Sequence, residues 1–244
     1  MDWATGETMG LKSDIDAALT EVVGHAWKQR DGRTVPETED IVLRDGAVNL
    51  NAVYLYSDMR DSTRLARDFH PTVAAKVVRA FLNCAVRVIR DHDGHIRSFD
   101  GDRVMAIYIG ERARTRAAIS ALKIKWAVDN CARPVLADRF PQLAKNNFTL
   151  SHGTGIASGD AFLARGGVRD NNDLISIGRA PNVAAKLSDI KNPPYRTYMT
   201  EDAYNKMAND GKDSDGKDMW SPEMREVGGE QITVYRSSWG WVIN

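Results

Sequence analysis

The apolar positions of this chain switch repeatedly between a helical and an extended period. Ile15, Ala18, Leu19, Val22 and Val23 fall at helical spacing, which predicts an amphipathic helix over 12–26. The polar stretch KQRDGRTVPETED then reads as a loop, and Ile41–Leu43 as a short strand. NAVYLYS, residues 51–57, is rich in branched and aromatic residues and predicts the first strong strand. A short helical segment follows to Phe69. Pro71 then opens a long helix over 72–91, with Val73, Val77, Ala80, Phe81, Ala85, Val88 and Ile89 on one face.

HIRSF and RVMAIYI predict two strands turning at Asp100-Gly101. Residues 111–131 read as a helix and 132–147, with Pro134 and Pro141, as a connector. FTLSHGTGIASG and DAFLARGG predict a strand pair, and DLISIG a third strand. A helix over 180–190 opens after Gly178 and ends before Pro193-Pro194. YRTYMT predicts a strand, EDAYNKM a short helix, GKDSDGKD a solvated loop, and REVGG with QITVYR a closing hairpin. Helices alternate with strands while the hairpins make the sheet mixed, so the expected class is α+β: an α/β sandwich with a mixed central sheet flanked by helices. Residues 1–10 read as a frayed terminus, 1–49 as a helix and lead-in, and 50–244 as one domain with a C-terminal hairpin.

Composition narrows the possibilities. Hydrophobic residues make up 43% of 244, enough for a sizeable core. Lysine plus arginine equals aspartate plus glutamate at 33 each, which gives no general pull toward nucleic acid or membrane. The two cysteines, Cys84 and Cys131, sit in helical patterns and read as core thiols of a reducing compartment. With no signal-like N-terminus and no long apolar run, the expectation is a soluble cytoplasmic protein.

One stretch calls for chemistry rather than packing. In YLYSDMRDSTRL a hydrophobic strand runs into Asp58, and Asp102 sits directly after the predicted Asp100-Gly101 turn. If that hairpin pairs beside the first strand, the two carboxylates meet at one sheet edge. Adjacent carboxylates repel unless a cation neutralises them, and oxygen-only ligands suit magnesium or manganese. Amides near Ser62 and Thr63 suit phosphate oxygens. The other reading is an ordinary acidic turn. DHDGH (His92, Asp93, His95) reads as a solvated loop, and the Trp239 and Trp241 tail as packing.

LYSDMRDSTRL, SFDGDRVMAIYIG, GTGIASGDAF and ISIGRAPNVAAKLSD together resemble, in order and spacing, the blocks of a class III nucleotidyl cyclase catalytic domain, over about residues 50–202. The resemblance implies that Asp58, Asp102 and the Met59 backbone carbonyl bind two divalent ions, Mn2+ or Mg2+. These activate the ribose 3′-hydroxyl for attack on the α-phosphate. It implies that Thr63 holds phosphate, with Ser62 where relatives carry an aromatic. Asn182 would orient the ribose, and Lys186 stands in place of the family's arginine. The two are four apart on a helix and share a face. The lysine lacks the planar fork of an arginine. Arg179 is expected to share its task. The family's C-terminal triphosphate lysine has no counterpart in EVGGEQITVY, so Arg60 and Arg64 are the expected substitutes. Each of these arginines also reads as an ordinary surface charge. The family builds each site from two chains, which implies an antiparallel homodimer.

Adenylate cyclases place an adenine-reading lysine four residues before the second metal aspartate and an acid three before the glycine of the asparagine helix. Ser98 and Ile175 occupy those positions. An isoleucine offers adenine's amino group no acceptor, and a buried unpaired polar group costs about 1–3 kcal/mol. SDMRDST, the short free-standing length and the missing purine pair resemble the pyrimidine cyclases of the bacterial Pycsar anti-phage system. Those convert a nucleoside triphosphate, UTP or CTP, into a cyclic nucleotide that acts on a separate effector. On that resemblance Tyr56, Arg97 and Ser98 would contact the base. Their plainer readings are core packing for Tyr56 and an exposed strand charge for Arg97. UTP is the favoured substrate and CTP the alternative, with no physical argument in the sequence that decides between them. An adenylate cyclase with an unusual pocket and a non-catalytic module of the same fold are the competing functions.

Overall fold

The structure, a computed structural model, describes residues 10–243; the frayed-terminus expectation therefore falls almost wholly outside the described residues. The helix α1 (Leu11–Gly24) buries none of its residues, so its apolar stripe is uncovered in the single chain. The polar stretch expected to be a loop contains β1 (Lys28–Asp31), which pairs in parallel with the start of β2 (Gly46–Met59). All four β1 residues are exposed, and this is why no alternation announced it. Ile41–Leu43 is not a strand. A helical turn, Thr38–Asp40, precedes it, and Ile41 is a buried plug at the end of that turn.

After β2 come α2 (Ser62–Asp68) and α3 (Pro71–Asp91). The His70 side chain accepts from the Thr72 amide and Pro71 occupies the first turn, so α3 starts where its sequence predicts. Then follow β3 (His95–Asp100), β4 (Arg103–Tyr108) and α4 (Ala113–Ala127). The expected connector over 132–147 is largely helical. A π turn, Val128–Ala132, carries α4 into α5 (Arg133–Arg139), and α6 (Gln142–Lys145) follows. Pro134 lies at the start of α5, just past the π turn. Cys84 packs at the core margin, whereas Cys131, in the π turn, is exposed and not a core thiol.

The expected strand pair over 148–167 is one long strand, β5 (His152–Val168). Gly159 does not turn the chain, because β5 stays paired with β2 from His152 to Ala164. Next are β6 (Asn171–Ile177), α7 (Arg179–Ser188), β7 (Thr197–Thr200) and α8 (Glu201–Asn205). The GKDSDGKD loop contains a two-rung hairpin, β8 (Asp213–Ser214) with β9 (Lys217–Asp218). The hairpin β10 (Ser221–Val227) and β11 (Glu230–Ser237) ends the chain as expected.

The main sheet runs β10-β11-β7-β5-β2-β4-β3, with β1 beside β2 and β6 beside β5; it is mixed, as its parallel β5–β7 and antiparallel β2–β4 ladders show. Side chains alternate across β2. Val53, Leu55 and Met59 join Phe81, Ile89, Leu122 and Ile124 of α3 and α4 in one core. Leu50, Ala52 and Tyr54 join Val183, Ala184 and Leu187 of α7 in the other. A wholly buried side chain such as Phe81 contributes about 1.5–3 kcal/mol of transfer free energy. The C-terminal Trp239 and Trp241 pack on the α4 side, where the Trp241 amide donates to the Leu122 carbonyl at 3.1 Å.

Candidate active site

The ends of β2 and β4 bring the two aspartates together. Asp58 pairs with Arg103, and the Met59 amide donates to the Asp102 carbonyl at 3.4 Å. Because Asp100 pairs with Arg103, the two turn residues are Gly101 and Asp102. Asp102 is therefore in the turn rather than after it, and Gly101 takes the positive φ of 58° that this tight reversal needs. The Asp102 carboxyl is half-buried, and its Oδ2 is buried with no hydrogen-bond partner. Burial pushes its pKa up, a hydrogen bond from Ser62 works the other way, and the nearby Asp58 charge pushes it further up. The arrangement is acidic and short of a cation.

Arg103 supplies part of that deficit. Its guanidinium donates to Asp58 Oδ2 at 2.9 Å and to Asp189 Oδ1 at 2.5 Å. Neither Arg103 nor Asp189 was legible as a site residue. Arg103 adjoins an aspartate of the motif, but only strand pairing sets it opposite Asp58.

A cleft of about 500 Å³ lies over this edge, lined by Asp58 to Arg64, Arg67, Ser188, Asp189 and Lys191. Ser62 and Thr63 form the first turn of α2, whose amides lack helical acceptors. The two arginines expected to grip phosphate differ from that expectation in the free chain. Arg60 is buried and donates to the Ile190 carbonyl at 2.5 Å, and burial lowers its pKa. Arg64 donates to the Asn146 carbonyl at 2.5 Å and the Asn147 carbonyl at 3.3 Å. Lys191, which no motif singled out, reaches the cleft from the loop after α7.

Glycines let α7 lie against this end of the sheet. A Cβ at Gly153 would overlap the Ser188 carbonyl oxygen, and one at Gly155 the Ala184 carbonyl oxygen. With Ala180, Val183, Ala184 and Leu187 buried, Asn182 and Lys186 share the exposed face. Asn182 precedes Asp189 by seven residues, roughly 10 Å along the axis. It does not line the cleft at Asp58. Arg179 is held by Glu230, at 2.7 Å. In one chain, then, the aspartate pair and the asparagine face are separate.

The residues expected at the base are only partly assembled. Tyr56 pairs with Met105, and Met105 with Ser98, so all three form one row on the α7 side of the sheet. Burial raises the Tyr56 pKa, keeping its phenol protonated. Arg97 is the extra residue of a bulge between Ile96 and Ser98, which aims it elsewhere. It is not an exposed strand charge: its side chain is 10% exposed and pairs with Glu37 at 3.3 Å and Asp173 at 3.5 Å. Ile175 lies on β6 against Gly166 and is 44% exposed.

No family model matches the chain. Whole-chain relatives are clear. The chain is 38% identical over 237 residues to a uridylate cyclase of Xanthomonas perforans, covering 97% of this chain and 100% of the relative. It is 37% identical over 234 residues to a uridylate cyclase of Rhodovulum sp. (strain MB263), covering 95% and 97%. Among solved structures, a bacterial light-regulated adenylyl cyclase superposes with a TM-score of 0.63 at 22% identity, over 78% of this chain and 90% of that one. The guanylyl cyclase Cya2 superposes with a TM-score of 0.63 at 14% identity, over 79% and 94%. The sheet order and the Asp58–Asp102 edge thus sit on a fold shared with solved nucleotidyl cyclases, and the chain belongs to the uridylate cyclase family.

Proposed function

We propose that the protein converts UTP to 3′,5′-cyclic UMP and pyrophosphate in a homodimer with two shared sites. The observation that carries this reading is the meeting of Asp58 and Asp102 at one sheet edge, with a buried Asp102 oxygen left unpartnered. Those residues fit divalent metal, Mn2+ or Mg2+. Asp58 and Asp102 would hold it with the Met59 carbonyl, and phosphate and water oxygens would complete the shell. Among the described residues no group of three or more histidine, cysteine or acidic side chains offers a different metal site. When bound, two such ions lower the pKa of the attacking 3′-hydroxyl and neutralise the departing pyrophosphate.

The remaining work falls to the chain itself. Ser62 and Thr63 present hydroxyls and first-turn amides to phosphate oxygens. Asn182 orients the ribose and Lys186 supplies positive charge at the reacting phosphate. In the free chain these two lie on an exposed helix face away from the cleft. A second copy placing its α7 opposite Asp58 would complete the site. Uracil would lie against the Tyr56, Met105 and Ser98 row, and Ile175, on β6 outside that row, offers adenine's amino group no acceptor. Arg97 would reach the base only by leaving Glu37 and Asp173. The family resemblance extends the proposal to a cytoplasmic messenger that acts on a separate effector in anti-phage defence. No helix of the described residues is long and apolar enough to cross a membrane.

Equimolar ATP, GTP, CTP and UTP with manganese, followed by mass identification of the cyclic product, tests the assignment. Cyclic UMP should dominate. Dominant cyclic CMP would move the assignment to the other pyrimidine. A dominant cyclic purine would overturn the base reading, and absence of any product would favour a non-catalytic module.

A further inference from the structure

We infer that Lys191 is the cation that grips the terminal phosphates of the nucleotide, and that Arg60 positions it. The inference rests on the cyclase reading of the Asp58 cleft and deepens it.

Four basic side chains line that cleft: Arg60, Arg64, Arg67 and Lys191. Three are committed elsewhere. Arg60 is buried, with donors on the Ile190 and Tyr195 carbonyls. Arg64 is bound to the Asn146 and Asn147 carbonyls and to Asp68. Arg67 lies on Asp68 at 2.7 Å.

Lys191 differs from Arg60 and Arg64 in having no carbonyl partner among the described residues. It differs from Arg67, an equally exposed cation that makes two contacts to its neighbour Asp68, in standing on the residue before Ser62 and Thr63. Its ammonium has one ion-pair partner, Asp61 at 3.3 Å, and the two side chains are 63% and 57% exposed. Such a pair contributes little and is readily exchanged. Asp61 is the residue immediately before Ser62 and Thr63 at the start of α2, so Lys191 already stands beside the expected phosphate-binding turn. An ammonium on a flexible stem suits the mobile end of a triphosphate, where no planar fork is needed. In the free protein the Asp61 carboxylate occupies the lysine that a phosphate oxygen would take.

Arg60 explains why the lysine is there. Its bond to the Ile190 carbonyl holds the residue directly before Lys191, and so fixes where that stem leaves the backbone. The buried arginine therefore serves the phosphates at one remove.

The test uses the full-length protein and inorganic tripolyphosphate with Mn2+, measured by calorimetry, beside UTP kinetics. Lys191→Ala should weaken tripolyphosphate binding roughly tenfold. It should raise the KM for UTP by a similar factor with kcat within about twofold, and Lys191→Arg should recover part of the loss. Asp61→Asn, which tolerates the left-handed backbone at φ 61°, should tighten tripolyphosphate binding by freeing the lysine. Unchanged tripolyphosphate binding in Lys191→Ala, or no binding by the parent protein, overturns the inference. If Lys191-dependent binding is found while no nucleotide is cyclised, the inference stands and the cyclase reading falls.

Discussion

Arg103 and Asp58 face each other directly across the β2–β4 ladder, and the guanidinium donates to Asp58 Oδ2 at 2.9 Å. The same nitrogen reaches Asp189 Oδ1 at 2.5 Å. The free chain thus places its own cation against the carboxylate proposed to hold metal. Removing that charge should favour a metal ion by about 1 kcal/mol, roughly fivefold. Arg103→Gln should therefore bind Mn2+ about fivefold more tightly by calorimetry without nucleotide. Equal or weaker binding would show that Arg103 does not compete with the metal.

The separation of Asn182 from Asp58 within one chain leads to a mixing experiment. Asp58→Ala and Asn182→Ala proteins should each be inactive. Subunit exchange between them should restore part of the activity, because a mixed dimer contains one site with both wild-type halves. If exchange is demonstrated and no cyclic product returns, each site is built from one chain.

Gly155 sits where α7 crosses β5, and its replacement is a stability experiment. Gly155→Ala would drive a Cβ into the Ala184 carbonyl oxygen, on rigid backbone. We expect a loss of about 1–3 kcal/mol in denaturant unfolding. Gly24→Ala, with open space around it, should change stability by less than about 0.5 kcal/mol. Equal effects at the two positions would mean that α7 does not depend on the close approach.

His152 makes stability depend on pH. It is fully buried, neither ring nitrogen has a partner, and burial first, then Arg196, hold its pKa well below 6.5. The unfolded chain takes up a proton as pH falls through about 6.5 while the folded chain does not, so stability drops toward acid. Against neutral pH, this one group should cost up to about 1.4 kcal/mol per pH unit below 6.5, ending at the folded pKa. His152→Phe cannot take that proton and should lose stability less steeply between pH 7 and 5, whatever its stability at pH 7. Parallel curves for the two proteins would exclude His152 as the source.

Much of this architecture is written in local pattern. The stripe from Val77 to Ile89 is the buried face of α3, and NAVYLYS lies inside β2. The residues alone leave Asp58 and Asp102 as a conditional pair, which the family resemblance selects over an acidic turn. Asn182 and Lys186 share a face by helical spacing alone. The helix and strand stripes depend on residues close in sequence, where periodicity carries the information.

The remaining features depend on partners distant in sequence. β1 is a strand only because Gly46–Asn49 is beside it, since its own residues are all exposed. Gly159 reads as a break, yet β2 holds β5 straight across it. Arg60 looks like a surface cation, but the chain end after α7 returns to it with two carbonyls that need a donor. Arg97 reads as a base contact or a free charge, and the bulge and Asp173 make it an internal tie. Lys191 is one lysine in a loop until that loop docks over Asp61. The sequence by itself determined the periodic elements and, through the family resemblance, nominated the acidic pair. The tertiary structure decided which cations are used up inside the fold and which remain free for a ligand, because hydrogen bonding and burial, not residue type, set the availability of a charge.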